Sequence, residues 1–145
     1  MQHLQTLLKR WAKEDVGALP GVSASSVQAT FASLGATATS DVIELYAAIG
    51  GMENMDAEYW RHWPLPEIES ENSVLSPFGI LFADYLISSW CYRLKATSNE
   101  TSCVYVDYFD GKEPTLVANS LREFIYSYGE NRDFVHLPPS PRGDA

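Results

Sequence analysis

The 145-residue sequence predicts an α+β fold, with N-terminal helices and a C-terminal helix packed on a twisted antiparallel sheet of about four to six strands. Three observations carry this expectation. Residues 77–109 are dense in β-branched and aromatic side chains, as a half-buried pleated surface requires. From Leu86 they alternate: Leu86, Ser88, Trp90, Tyr92 and Leu94 share one face, and Ile87, Ser89, Cys91, Arg93 and Lys95 the other. Period-two patterning marks a strand with one face on a core. Finally, the polar, turn-prone stretch 96–102 folds this region back on itself, so a meander is expected with strands near 79–84, 86–95 and 102–109.

The elements around the meander follow in chain order. Leu4, Leu7, Leu8 and Trp11 recur on one helical face, predicting a helix over 3–14; Lys9, Arg10 and Lys13 sit toward its C-terminus, where cations suit the macrodipole. Gly17, Pro20 and Gly21 break the pattern. A second helix over 23–34 carries Val27, Phe31 and Leu34 on one face, with Ser23 as cap and Gly35 as stop. A third, over 40–49, opens with a capping box in Asp41-Val42-Ile43-Glu44, and Gly50-Gly51 offers a left-handed stop. Tyr59 to Trp63 reads as a short strand that Pro64 and Pro66 confine to an edge, and 70–77 as a polar loop. Residues 110–114 form a turn and 115–117 a short strand. A last helix follows over 118–128, with Leu121, Phe124, Ile125 and Tyr128 on one face and Gly129 as stop. Residues 1–137 are thus expected to be one domain. The composition of 138–145 cannot pack, which predicts a mobile tail.

Charge narrows the function. The net charge is −9 and the pI about 4.6, so nothing draws the chain to nucleic acid or an anionic membrane; a basic protein surface is the natural partner. No run approaches the ~20 apolar residues of a membrane span, and the N-terminus lacks the pattern of a secretory signal, so a cytoplasmic location is expected. In that setting Cys91 and Cys103 are expected to be reduced, packed thiols. His3, His62 and His136 have no paired spacing, and the common metal, phosphate-loop and nucleophile-elbow motifs are missing, so no metal, cofactor or catalytic residue is expected. A Cys–His pair is the enzymatic alternative, and packing is the plainer role for the thiols. Glu67, Glu69 and Glu71 alternate as on a strand and read as a solvated edge.

Trp60 and Trp63 stand out. Three residues apart on a strand, they point to opposite faces, so at most one enters the core and the other is a partly exposed aromatic within acidic surroundings, as in a binding hot spot. The alternative is that both pack beneath the loop at 70–77.

Several stretches, in order, resemble the SUKH superfamily, which includes the Smi/Knr cell-wall-assembly regulators and many bacterial immunity proteins. They are 40–51 with its closing Gly50-Gly51, then Trp63-Pro64-Leu65 with Glu67-Ile68, then 80–84, then Val104-Tyr105-Val106, then 118–125. The resemblance spans roughly residues 15–130 and implies helices on a twisted antiparallel sheet and a non-enzymatic role. Bacterial members typically bind and neutralise a cognate polymorphic toxin, often a nuclease or deaminase; the alternative it implies is a regulatory interaction module of the wall-assembly type. Gly50-Gly51, Trp63 and a turn at Phe82-Ala83-Asp84 would be framework positions. Many members carry a glycine-rich turn before the next strand, whereas here Asp84 runs into Tyr85-Leu86-Ile87-Ser88-Ser89-Trp90.

Between Glu53 and Glu113 lie eleven acidic and four basic residues, which suits a basic toxin domain as partner. The expected partner-binding residues are Glu53, Asp56, Glu58 and Trp60, with Asp84 and Tyr85 at a strand turn. Asp107 and Asp110 are second choices.

Overall fold

The meander forms, extended by one strand at each edge. The computed structural model describes residues 1–136, and the tail expected at 138–145 lies outside them. Strands β1 (Trp60–His62), β2 (Ile80–Tyr85), β3 (Trp90–Ala96), β4 (Ser102–Asp107) and β5 (Thr115–Ala118) lie side by side in that order, each antiparallel to the next. Around them are helices α1 (Leu4–Lys13), α2 (Ala24–Ser33), α3 (Ser40–Ala48), α4 (Leu65–Glu71) and α5 (Leu121–Glu130), and a short 3-10 helix, Arg132–Val135.

Register assigns the sheet's faces. Leu94 lies opposite Val104 and Ile80, and Tyr92 opposite Val106 and Ala83, so these residues share the face on which α5 packs. Phe124 of α5 meets the rings of Trp60 and Tyr92 at 5.1 and 5.5 Å. The register of β2 on β3 shifts between Leu81 and Ala83, a bulge that lets both Phe82 and Ala83 be buried. Phe82 then lies 5.9 Å from Trp60.

The second face holds Arg61, Asp84, Cys91 and Asp107 in one row. On this face Glu67 of α4 grips Arg61, Arg93 donates to Gly79 O at 2.9 Å, and Phe78 meets Tyr105 edge-on. Cys91 lies opposite Asp107 and Cys103 opposite Lys95, so the two thiols share this face four positions apart, roughly 13 Å along the strands. Both are free and buried.

Several local expectations are corrected. Residues 65–71 form α4, not an alternating edge and polar loop: Pro66 falls in the first helical turn, where the missing N–H costs nothing. Asp41 and Glu44 form no capping box. Asp41 is buried, accepting from the backbone N–H groups of Val42, Ser102 and Leu121 and from the Thr39 hydroxyl, while Glu44 reaches Arg122 and the N-terminal ammonium. Gly129 lies within α5 rather than after it; a Cβ there would come within 2.4 Å of the His3 Cβ, so it is the close approach of α1 that demands glycine. Gly51 (φ 143°) does what was expected of the Gly-Gly pair, turning the chain after α3 where a Cβ would strike Pro64.

Residues 86–89 are a turn and not the start of a strand. Leu86, Ile87 and Ser88 take φ of 48°, 53° and 61°, and the alternating pattern holds only from Trp90. Conversely, Phe82-Ala83-Asp84 is the middle of β2 rather than a turn.

Candidate functional site

Three of the six residues expected to bind a partner are buried. Trp60 is 1% exposed and forms the centre of the aromatic core, with Phe82, Tyr92, Phe124 and Tyr128 around it. Trp63 is buried too, although it does lie on the face opposite Trp60: its N–H pairs with Phe82 O at 2.8 Å and its Nε1 donates to Asp84 Oδ2 at 2.6 Å, so it sits with Asp84 on the second face, which is covered there as well. Asp84 is 3% exposed and also faces Arg61 at 3.3 Å.

Asp56, likewise 3% exposed, is a structural hub. Its Oδ1 accepts from the N–H groups of Glu58 and Trp60, and its Oδ2 from Trp11 Nε1 and the Tyr128 hydroxyl. Burial pushes its carboxyl above the usual carboxylate range, with these four donors pulling the other way. Asp107, a second choice, is buried on Arg93 Nε at 2.9 Å.

Glu53 is exposed and Glu58 and Tyr85 are partly buried, and register shows what they belong to. Trp60 lies opposite Tyr85, Tyr85 opposite Trp90, and Cys91 opposite Asp107. Hence the segment before β1, the turn at 86–89 and the turn after β4 all meet at one end of the sheet. An aromatic cluster lines it. Tyr85 stacks on Trp90 at 4.2 Å with the rings 4° from parallel, Trp90 meets Tyr108 at 5.5 Å, and Tyr59 meets Tyr85 at 6.0 Å. Leu86, Ile87 and Phe109 project from the same end, Ile87 with 81% of its surface exposed. Glu53, beside Ile87 and Ser88, and Asp110, next to Phe109, supply acidic charge around it, whereas Glu58 is engaged by Arg132 and His136.

This end also concentrates the backbone strain. Seven non-glycine residues among those described have positive φ, and five of them, Tyr59, Leu86, Ile87, Ser88 and Phe109, lie here. The left-handed region costs an L-residue roughly 1–2 kcal/mol, and a β-branched side chain such as that of Ile87 is a genuine outlier there.

Trp90, Leu86, Ile87 and Phe109 are the site residues that the sequence reading missed. The signal available was Leu86-Ile87, two large apolar residues between polar Asp84 and Ser88-Ser89, but alternation absorbed it into a strand.

The structure further brings together Glu58, Asp133 and His136, whose ligand-type atoms lie within 4.8 Å of one another. His136 Nε2 faces Glu58 at 3.2 Å and its Nδ1 faces Asp133 at 3.7 Å, while Arg132 Nη1 lies 3.3 Å from the other Glu58 oxygen. The ring's two nitrogens are thus turned to two different carboxylates and Glu58 is shared with a guanidinium, which describes an ion-pair cluster that fixes the 3-10 helix against residues 58 and 59.

The thiols are poor nucleophiles: burial pushes Cys91 up to about 12, and raises Cys103 as well. His62 is fully buried between Trp11 and Tyr46, and its desolvation lowers it to about 4.

No family model matches the chain, and no curated protein matches it. Among the described residues no helix is long and apolar enough to cross a membrane.

Proposed function

We propose that this chain is a non-enzymatic immunity protein, which neutralises a cognate toxin domain by docking its basic surface on the acidic, aromatic end of the sheet. The observation that carries this reading is the coincidence there of five left-handed, non-glycine residues with exposed apolar side chains. Strain held at exposed positions gives the free protein nothing, and such strain collects at sites of function. Tyrosine and tryptophan, half-buried and rimmed by charge, are what binding hot spots are made of, and carboxylates around them speed encounter with a basic partner. A toxin is one of the two kinds of partner that the resemblance of residues 15–130 to the SUKH superfamily implies, the other being a regulatory partner of the wall-assembly type. A cytoplasmic location, where an immunity protein meets its toxin, belongs to the same reading. The suppressed thiol ionisation weighs against the Cys–His alternative.

Co-expression in bacteria with a toxin domain encoded beside this gene tests it. The expected outcome is survival and a complex that co-purifies. An Ile87→Asp variant should lose both, because Asp tolerates the left-handed backbone and the fold is spared while the apolar tip is gone. No rescue and no complex with the unaltered chain would reject the immunity role; full rescue by Ile87→Asp would reject this surface.

A further inference from the structure

A second concave feature lies elsewhere and has the opposite charge. A cleft of about 350 Å³ between α1 and the 3-10 helix is lined by Thr6, Lys9, Arg10, Lys13, Glu14 and Arg132. Four of the ten Lys and Arg residues thus surround one hollow in a chain of net charge −9. The spacing of residues 6, 9, 10 and 13 puts them on one face of α1.

The cations are short of counter-charge. Glu14 is the one carboxylate lining the cleft, and it is committed: Oε1 accepts from Ala57 N at 2.9 Å, and Oε2 faces Arg132 at 3.6 Å. Lys9 and Lys13 are exposed and form no ion pair among the described residues. Arg10 lies with its guanidinium carbon 5.5 Å from the Tyr128 ring centroid, and its Nη2 donates to Gly129 O at 3.4 Å. Its Nη1 is buried and has no hydrogen-bond partner among the described residues. Folded proteins leave few buried donors unpaired, but this nitrogen is shut off from solvent and so from the cleft, where Arg10 acts through its charge.

We propose that this cleft binds a small molecule through a diphosphate group. An unbalanced set of Lys9, Arg10 and Lys13 calls for a ligand with more than one negative charge. Phosphoryl oxygens accept from several directions at once, matching the fork of a guanidinium and the point charges of two ammonium groups. The volume is at the small end of the roughly 300–1,000 Å³ of small-molecule sites. A nucleic acid fits poorly, because the rest of so acidic a chain repels an extended polyanion. The site is separate from the sheet end proposed above and does not rest on that reading. Arg132 touches both, through Glu14 and Glu58, and so is left unaltered in the test.

The test is calorimetric titration of the purified chain with pyrophosphate at fixed ionic strength, alongside Lys9→Ala/Lys13→Ala and Arg10→Gln. Saturable one-to-one binding is expected, weakened about tenfold or more in each variant, as loss of charge-assisted hydrogen bonds requires. The lysine pair is exposed, so that variant keeps the test decisive if Arg10→Gln unfolds. Adenosine diphosphate binding tighter than pyrophosphate identifies a nucleotide; equal affinity identifies free diphosphate; either supports the site. The proposal is overturned if heat does not saturate, if sodium chloride at matched ionic strength reproduces the signal, or if the lysine double variant binds as well as the unaltered chain. Those results would leave the cations as ordinary partners of the α1 dipole.

Discussion

Trp11 donates its indole N–H to Asp56 at 2.8 Å, joining α1 to a loop 45 residues further along the chain. The same carboxylate takes the Tyr128 hydroxyl from α5 and two backbone N–H groups from the turn into β1. Asp56→Ala would leave four donors without their acceptor in a buried site, and a loss of about 3 kcal/mol or more is expected. Asp56→Asn should also destabilise, since one accepting oxygen becomes an N–H facing the Trp11 or backbone donors. Urea unfolding of both variants measures this. A loss under 1 kcal/mol for Asp56→Ala would show that the hub is replaceable by water.

Asp41 plays the corresponding role at the other end of the sheet. It joins the start of α3 to Ser102 at the start of β4 and to Leu121 at the start of α5, with N–H to oxygen distances of 3.1 and 3.2 Å. Asp41→Ala should cost about 3 kcal/mol or more by stranding backbone donors that no water reaches. Asp41→Asn should keep part of this, because one oxygen still accepts. Hydrogen exchange gives a sharper check than the unfolding midpoint: the amides of Ser102 and Leu121 should lose protection together.

His62 makes stability depend on pH. It is buried with Nε2 near Ile49 O at 3.4 Å and Nδ1 unpartnered among the described residues, and desolvation lowers it from 6.5 to about 4. Below pH 6.5 the unfolded chain takes a proton at this ring and the folded one does not. The contribution is therefore complete above pH 6.5 and is lost as pH falls toward 4, about 3 kcal/mol across that window. Asp56, whose carboxyl is raised, acts oppositely: its contribution is present at low pH and lost as pH rises through its folded value. NMR of the His62 ring should show the neutral form at pH 5.5. A protonated ring there would mean that water enters the core.

The architecture could be read from the sequence because its signals are local and periodic. Trp90, Tyr92 and Leu94 alternate against Cys91 and Arg93, and α1 and α5 carry unbroken apolar stripes. Helix α4 escaped because seven residues are too few to establish a period, and because proline reads as a breaker unless its place in the first turn is known. The candidate site was half legible. Tyr85, Glu53 and Glu58 lie at the sheet end proposed here, Glu58 within an ion-pair cluster, yet Asp56, Asp84 and Trp60 looked like surface only because their partners, Trp11, Trp63 and Phe124, come from distant parts of the chain. A charged residue announces its charge and not the donors that bury it.

The turn at 86–89 yields the prediction that separates stability from function. Ile87 is 81% exposed at φ 53°, so its side chain adds little packing while its backbone is strained. Glycine removes a penalty of about 1–2 kcal/mol and brings back about 0.5–1 kcal/mol of unfolded-chain entropy. Ile87→Gly should therefore gain up to about 1 kcal/mol of stability, read as a higher urea midpoint with an unchanged slope. If the turn exists to present an apolar tip, the same variant should bind its partner more weakly despite folding better. A variant that is both more stable and equally competent would mean that the tip is not used. One that is less stable would mean that Ile87 packs more than its exposure indicates. The opposite movement of stability and binding is the signature expected of a strained residue kept for recognition.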